Sequence, residues 1–129
     1  MKKTLLITVC LFSILFSTAQ SPQKIYQDIK NKKIKVLFHG LGTEPFWDFY
    51  ILENSAIFAA ELLDEYEKFQ MENSFDKNKY SQIINLKNSQ GDKKSVKIIK
   101  KSCSDGMSPK KYTYTVIYGN YNGCGQIGL

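Results

Sequence analysis

A mainly β domain, either a small antiparallel barrel or a strongly curved sheet, is predicted by three features of the sequence. Several short runs alternate apolar and polar residues with a period of two, as half-buried strands do. Trp47–Leu52, Lys94–Lys100 and Tyr112–Tyr118 are the clearest, and they are rich in β-branched and aromatic residues. Turn-forming segments separate these runs, and repeats, low-complexity tracts and proline-rich linkers are all lacking. Roughly six to eight short strands fit the available length, and closing them on themselves would remove exposed edges.

The chain has 129 residues and begins MKKTLLITVCLFSILFSTAQ. Two lysines, an apolar run from Leu5 to Phe16, and the small residues Ser17-Thr18-Ala19 follow the order of a secretory signal peptide, with cleavage expected at Ala19/Gln20. The run is shorter than the roughly 20 apolar residues of a spanning helix, so no transmembrane anchor is expected in the mature chain. Gln20 stands where a lipoprotein would need cysteine, and Cys10 lies too early in the apolar run. The expected product is exported, periplasmic or extracellular, monomeric and about 110 residues long, enough for one core.

Residues 20–33 read as either a lysine-rich leader or a short helix. For the helix, Ser21 would be the N-cap and Pro22 a first helical residue, with Ile25, Tyr26 and Ile29 on one face. From residue 34 to 129 a single β domain is expected. Ile34, Val36 and Phe38 alternate with Lys33, Lys35 and Leu37, a strand signal ending at His39-Gly40. Gly42-Thr43-Glu44-Pro45 reads as a turn whose proline sets the conformation of the next strand. On that strand Phe46 and Trp47 fall on opposite faces, one plugging the barrel end and the other reaching a neighbouring loop. Glu53-Asn54-Ser55 supplies another turn.

Residues 55–69, SAIFAAELLDEYEKF, admit two readings. Phe58, Leu62, Tyr66 and Phe69 fit a helical stripe, whereas 56–63 and 65–72 fit two strands. Further on, NSQGDKK (88–94) reads as a hairpin connection. CSDGMSPKKY (103–112) contains the turn dipeptide Asp105-Gly106, with Met107 either plugging the core or exposed. The terminal glycines at 119, 123, 125 and 128 suggest close backbone packing around Cys124.

Composition excludes several function classes. The formal charge is +6, and removal of Lys2 and Lys3 leaves +4. Every basic residue is lysine, which lacks the planar fork used to read phosphates and bases, so nucleic-acid binding is not expected. His39 is the sole histidine, and a triad of His39, Glu44 and Ser108 would have to be assembled from distant segments. Catalysis is therefore not expected. Processing leaves Cys103 and Cys124, an even count that favours a disulfide in an exported chain. Two thiols and one histidine make a poor zinc site, so neither a metal nor a cofactor is expected.

The motifs G-T-E-P-F-W (42–47), C-S-D-G-M-S (103–108), Y-T-Y-T-V (112–116) and G-C (123–124) together resemble a family of small exported bacterial envelope proteins, often labelled lipoproteins or predicted membrane proteins of unknown function. The resemblance spans roughly residues 40–124. It implies a β-rich envelope domain, and hence strands rather than a helix over 56–72. It carries over Glu44 to Trp47 as one signature, and Cys103, Asp105 to Ser108 and Cys124 as the other. The chain is also similar, more faintly, to bacterial inhibitors of c-type lysozyme, whose inhibitory segment would correspond to Ser108 with Lys110 or Lys111.

The expected role is a non-catalytic binding or scaffolding module for an envelope component or protein partner. Glu44, Trp47, Asp105, Met107, Ser108 and Lys110 are the candidate binding residues. Glu44 is expected to accept backbone N–H bonds from the 103–108 turn, or else to face a ligand with Asp105. The alternatives are a lysozyme-inhibitor-like protein, or a small-molecule binder whose barrel interior is lined by aromatics such as Trp47 and Tyr114.

Overall fold

A computed structural model describes residues 20–43 and 45–129. The expected signal peptide and Glu44 lie outside the described residues. The remainder forms a short helix α1 (Pro22–Lys30) and ten strands: β1 (Phe38–Thr43), β2 (Phe46–Ile51), β3 (Ser55–Ala60), β4 (Glu65–Met71), β5 (Ser81–Lys87), β6 (Lys93–Ile99), β7 (Cys103–Ser104), β8 (Lys111–Tyr112), β9 (Tyr114–Tyr118) and β10 (Tyr121–Ile127). Eight strands close into an antiparallel barrel in the order β1-β10-β9-β6-β5-β4-β3-β2, and β7 and β8 form a separate two-stranded ribbon.

The pleat divides each strand between an inner and an outer face. Phe38, Phe49, Phe58, Phe69, Ile84 and Val96 point inward and are almost fully buried, and they belong to one continuous core. Side chains fill this interior. Gly42 and Gly125 permit close approach of the strands that flank it: a Cβ on Gly42 would strike the Trp47 indole, and one on Gly125 would strike the Phe38 ring. The terminal glycine cluster thus serves packing in part, as the sequence suggested.

A second apolar cluster lies outside the barrel. Ile25, Tyr26 and Ile29 of α1 cover Tyr50, Ile57 and Ala59 on the outer faces of β2 and β3. The helix follows from its signals: Ser21 Oγ accepts from the Lys24 N–H at 3.2 Å, Pro22 opens the first turn, and the Lys24–Asp28 pair spans one turn at 2.8 Å. Of the two readings of residues 20–33, the helical one holds.

This outer layer accounts for two details of the chain. Both faces of β3 are buried from Ala56 onward, so AIFAA (56–60) is apolar throughout and mimics a helix in its composition. The 55–69 stretch is two strands separated by a single 3-10 turn, Glu61–Leu63. The first predicted strand, by contrast, begins too early. Val36 is buried and Ile34 half-buried against the helix cluster, and regular pairing starts only at Phe38. Their alternation reflects anchoring of the link between α1 and β1. Likewise the run from Tyr112 to Tyr118 is broken at Thr113, where the chain leaves the ribbon and joins the barrel.

The barrel seam is uneven. β3 and β4 pair along their full length, from Ser55↔Gln70 to Ala60↔Glu65. β4 and β5 pair only at Gln70↔Lys87 and Met71↔Leu86. Beyond that point Glu67 spans the gap, accepting hydrogen bonds from Asn88 Nδ2 at 2.7 Å and Lys94 Nζ at 2.8 Å. An open groove of about 790 Å³ runs along the outside of this seam, between Tyr66–Gln70 and Lys87–Gln90.

Candidate functional site

The antiparallel order places the β1–β2, β3–β4, β5–β6 and β9–β10 connections at one end of the barrel, called here the upper end. The ribbon of β7 and β8 begins at the opposite end and lies along the outer face of β10. A disulfide joins Cys103 on the ribbon to Cys124 on β10, with Cα atoms 5.4 Å apart. The tip of the ribbon thereby reaches the β1–β2 turn, where the Thr43 hydroxyl donates to the Asp105 carbonyl oxygen at 3.2 Å. Thr43 at the end of β1 and Asp105 at the ribbon tip, far apart in sequence, are thereby brought together.

Asp105 organises the ribbon tip. Its Oδ1 accepts from the N–H groups of Met107 at 2.9 Å and Ser108 at 3.2 Å. This side-chain-to-backbone turn is the usual work of aspartate before glycine, and Gly106 supplies φ +77°. The Met107 N–H, with further help from Ser108 and the Tyr112 hydroxyl, holds the Asp105 carboxyl below its ordinary range despite some desolvation. Tyr112 is shifted upward, by desolvation first and then by the Asp105 charge.

The other candidate residues divide into support and surface. Trp47 is buried beneath Gly42 and packs its ring against Phe58 and Tyr121. It therefore shapes the upper end from within. Ser108 Oγ accepts the Lys110 N–H at 3.3 Å, and Lys110 Nζ turns back to Gln126 Oε1 at 3.1 Å while lying over the Tyr112 ring. Met107 is 66 % exposed, and Phe46, expected on the face opposite Trp47, is 51 % exposed. These two apolar side chains stand on neighbouring loops joined by the Thr43–Asp105 bond.

His39 lies elsewhere. Its Nε2 is 2.7 Å from Asp48 Oδ1, and Asp48 Oδ2 accepts the Tyr26 hydroxyl at 3.2 Å. The ring stacks on Tyr50. This group ties α1 to β1 and β2, and the hydrogen bonding of His39 engages Asp48 instead of Ser108. Burial first, and then the Asp48 charge, raises the pKa of Tyr26 and of Tyr50 well above the ordinary tyrosine value. Among the described residues no group of three or more histidine, cysteine, aspartate or glutamate side chains is arranged to hold a metal ion. No described helix is long and apolar enough to cross a membrane.

No protein-family model, curated protein or solved structure matches the chain. The site is defined by its own geometry.

Two features escaped the sequence reading. Thr43, which the sequence places in a turn, supplies the bond between the two segments. Leu62 and Leu63, read as strand residues, sit on the 3-10 turn at the upper end and are 75 % and 57 % exposed. Their signal was present: two adjacent leucines cannot both face inward from a single strand.

Proposed function

We propose that the protein is an exported, non-catalytic binding module whose contact surface is the upper end of the barrel, where the β1–β2 turn and the ribbon tip meet. The observation that carries this reading is the exposure of Phe46 and Met107 on loops held by the disulfide, the Asp105 turn and the Thr43–Asp105 bond. Apolar side chains on pre-ordered loops lose little conformational freedom on binding, which is how a small surface gains affinity. The disulfide and the resemblance to exported envelope proteins support the location. The filled interior weighs against a ligand inside the barrel, and Lys110, folded back on Gln126, weighs against a protruding inhibitory lysine.

The test is affinity capture from envelope extracts with the wild-type chain and with a Phe46→Ser, Met107→Ser double variant. Both residues are exposed, so the variant is expected to fold with unchanged thermal stability. It should lose a component that the wild type retains reproducibly. Identical recovery by both proteins places the contact elsewhere and contradicts the reading.

A further inference from the structure

The exposed apolar residues at the upper end continue beyond Phe46 and Met107. The 3-10 turn Glu61–Leu63 packs beside β2, so Leu62 and Leu63 extend the patch across the β3–β4 connection. The chemistry around them is acidic, in a chain that is otherwise rich in lysine. Glu61, Asp64 and Glu65 flank the two leucines, and all three are exposed. Neither Glu61 nor Asp64 has an ion-pair partner among the described residues. The connections at the lower end carry exposed Lys33, Lys35, Lys77, Lys79, Lys100 and Lys101 together with Glu53 and Glu72, while exposed Lys87, Lys93 and Lys94 flank the β5–β6 connection at the upper end.

The upper mouth also shows how it accommodates a cation. Lys94 places its ammonium 2.8 Å from Glu67 and 5.9 Å over the Phe69 ring. Glu65 spans the mouth to accept the Tyr121 hydroxyl at 3.2 Å. Behind these groups the Tyr118 hydroxyl is buried, close to the Glu67 carboxylate. Carboxylates and aromatic faces thus gather beside an apolar rim.

We infer that the upper rim docks a cationic amphipathic segment of a partner protein, its apolar side on Phe46, Leu62, Leu63 and Met107 and its ammonium or guanidinium groups on Glu61, Asp64 and Glu65. This rests on the reading of the upper end as the contact surface and adds the chemistry of the partner. The acidic β3–β4 connection beside the leucines attracts such a partner, and the lysines of the lower end and of the β5–β6 connection repel it. An anionic membrane is the less suitable occupant, because the same carboxylates would meet lipid head groups of like charge.

The probes are two amphipathic helical peptides, one of leucine and lysine and one in which glutamate replaces every lysine, titrated by fluorescence anisotropy against the folded mature chain. The lysine peptide is expected to bind at least about ten-fold more tightly than the glutamate peptide, and to weaken as salt is raised. Glu61→Lys with Asp64→Asn, which retains a residue suited to the left-handed backbone at 64 (φ 50°), should reduce its affinity by about ten-fold. Lys100→Glu, at the far end, should not weaken it. Equal binding of both peptides, or indifference to the rim variant, overturns the inference. So does binding of phosphatidylglycerol vesicles or self-association that depends on the same residues while the lysine peptide is ignored. Envelope capture lost in the Phe46→Ser, Met107→Ser variant, with no discrimination between peptides, leaves the proposed function standing and removes only the cationic partner.

Discussion

Thr43 and Asp105 are 62 positions apart in sequence, yet the hydroxyl of one donates to the backbone carbonyl of the other at 3.2 Å. That bond fastens the free end of a ribbon whose other attachment is the Cys103–Cys124 disulfide. Just beyond these fixings the ribbon tip presents an exposed Met107, and the β1–β2 turn it is tied to leads into an exposed Phe46. The arrangement turns two sequence motifs into one ordered surface.

Removal of the bond should loosen the tip without unfolding the barrel. Thr43→Val keeps the shape of the side chain and loses the donor, at a cost of about 1 kcal/mol. Because the disulfide still holds the ribbon, the loss should appear as faster hydrogen exchange at the Met107 and Ser108 amides, with a small change in melting temperature. The same amides report on pH. The carboxyl of Asp105 is depressed in the folded protein, so its contribution is present above the ordinary carboxylate value, about 4, and is lost as pH falls through the lower folded value. The Met107 and Ser108 resonances should move together in that acid range, and Asp105→Asn should abolish the shared transition.

Reduction of the disulfide removes the other fixing. A loop of this length, with cysteines 21 positions apart, is worth about 3 kcal/mol in the chain-entropy account. Chemical denaturation with and without reductant should show a loss of that order. A Cys103→Ser, Cys124→Ser variant should match the reduced protein and be insensitive to reductant.

Gly42→Ala tests the packing beneath the turn. The added Cβ meets the Trp47 indole, so either the ring or β1 must move. A loss of about 1–3 kcal/mol is expected, the usual range for overpacking, together with a changed tryptophan emission spectrum. Gly91→Ala is a poor control because its φ of +87° adds backbone strain, whereas Ser95→Ala on the exposed face of β6 should leave both readouts unaltered.

Tyrosine ionisation should be delayed and linked to alkaline unfolding. Tyr26, Tyr50 and Tyr118 are shifted upward chiefly by burial, with the Asp48 charge next for the first two and the Glu67 charge for the third. A group whose folded pKa is raised contributes stability that is complete below its unfolded value and is lost as pH rises above it. Denaturation midpoints should therefore hold up to about pH 10 and decline beyond it. Ultraviolet titration should show part of the tyrosine signal appearing only as the protein unfolds.

The β class and most strands were legible in the sequence because half-buried strands carry their alternation openly, as in β6, where Val96 and Ile98 are buried between exposed Ser95 and Lys97. Alternation failed where burial had another cause. Ile34 and Val36 alternate because they anchor a link beneath α1, and β3 lost its alternation because α1 covers its outer face. For the candidate site, the Asp105-Gly106 turn was readable from turn chemistry, whereas the exposure of Met107 was not, because methionine suits core and surface alike. The Thr43–Asp105 bond was not, since it depends on how the ribbon lies along β10. Trp47 shows the converse limit: an unusual residue in a motif proved to be a core residue, while its plainer neighbour Phe46 faces outward.

The most direct test of the upper end as the contact surface is site-specific photo-crosslinking in the native envelope. A photoreactive side chain at Met107 samples the upper end, and one at Lys77 samples the opposite end. The account predicts a discrete adduct from Met107, lost when Phe46 is also changed to serine, and none of the same mass from Lys77. Adducts from Lys77 alone, or equally from both positions, would contradict it.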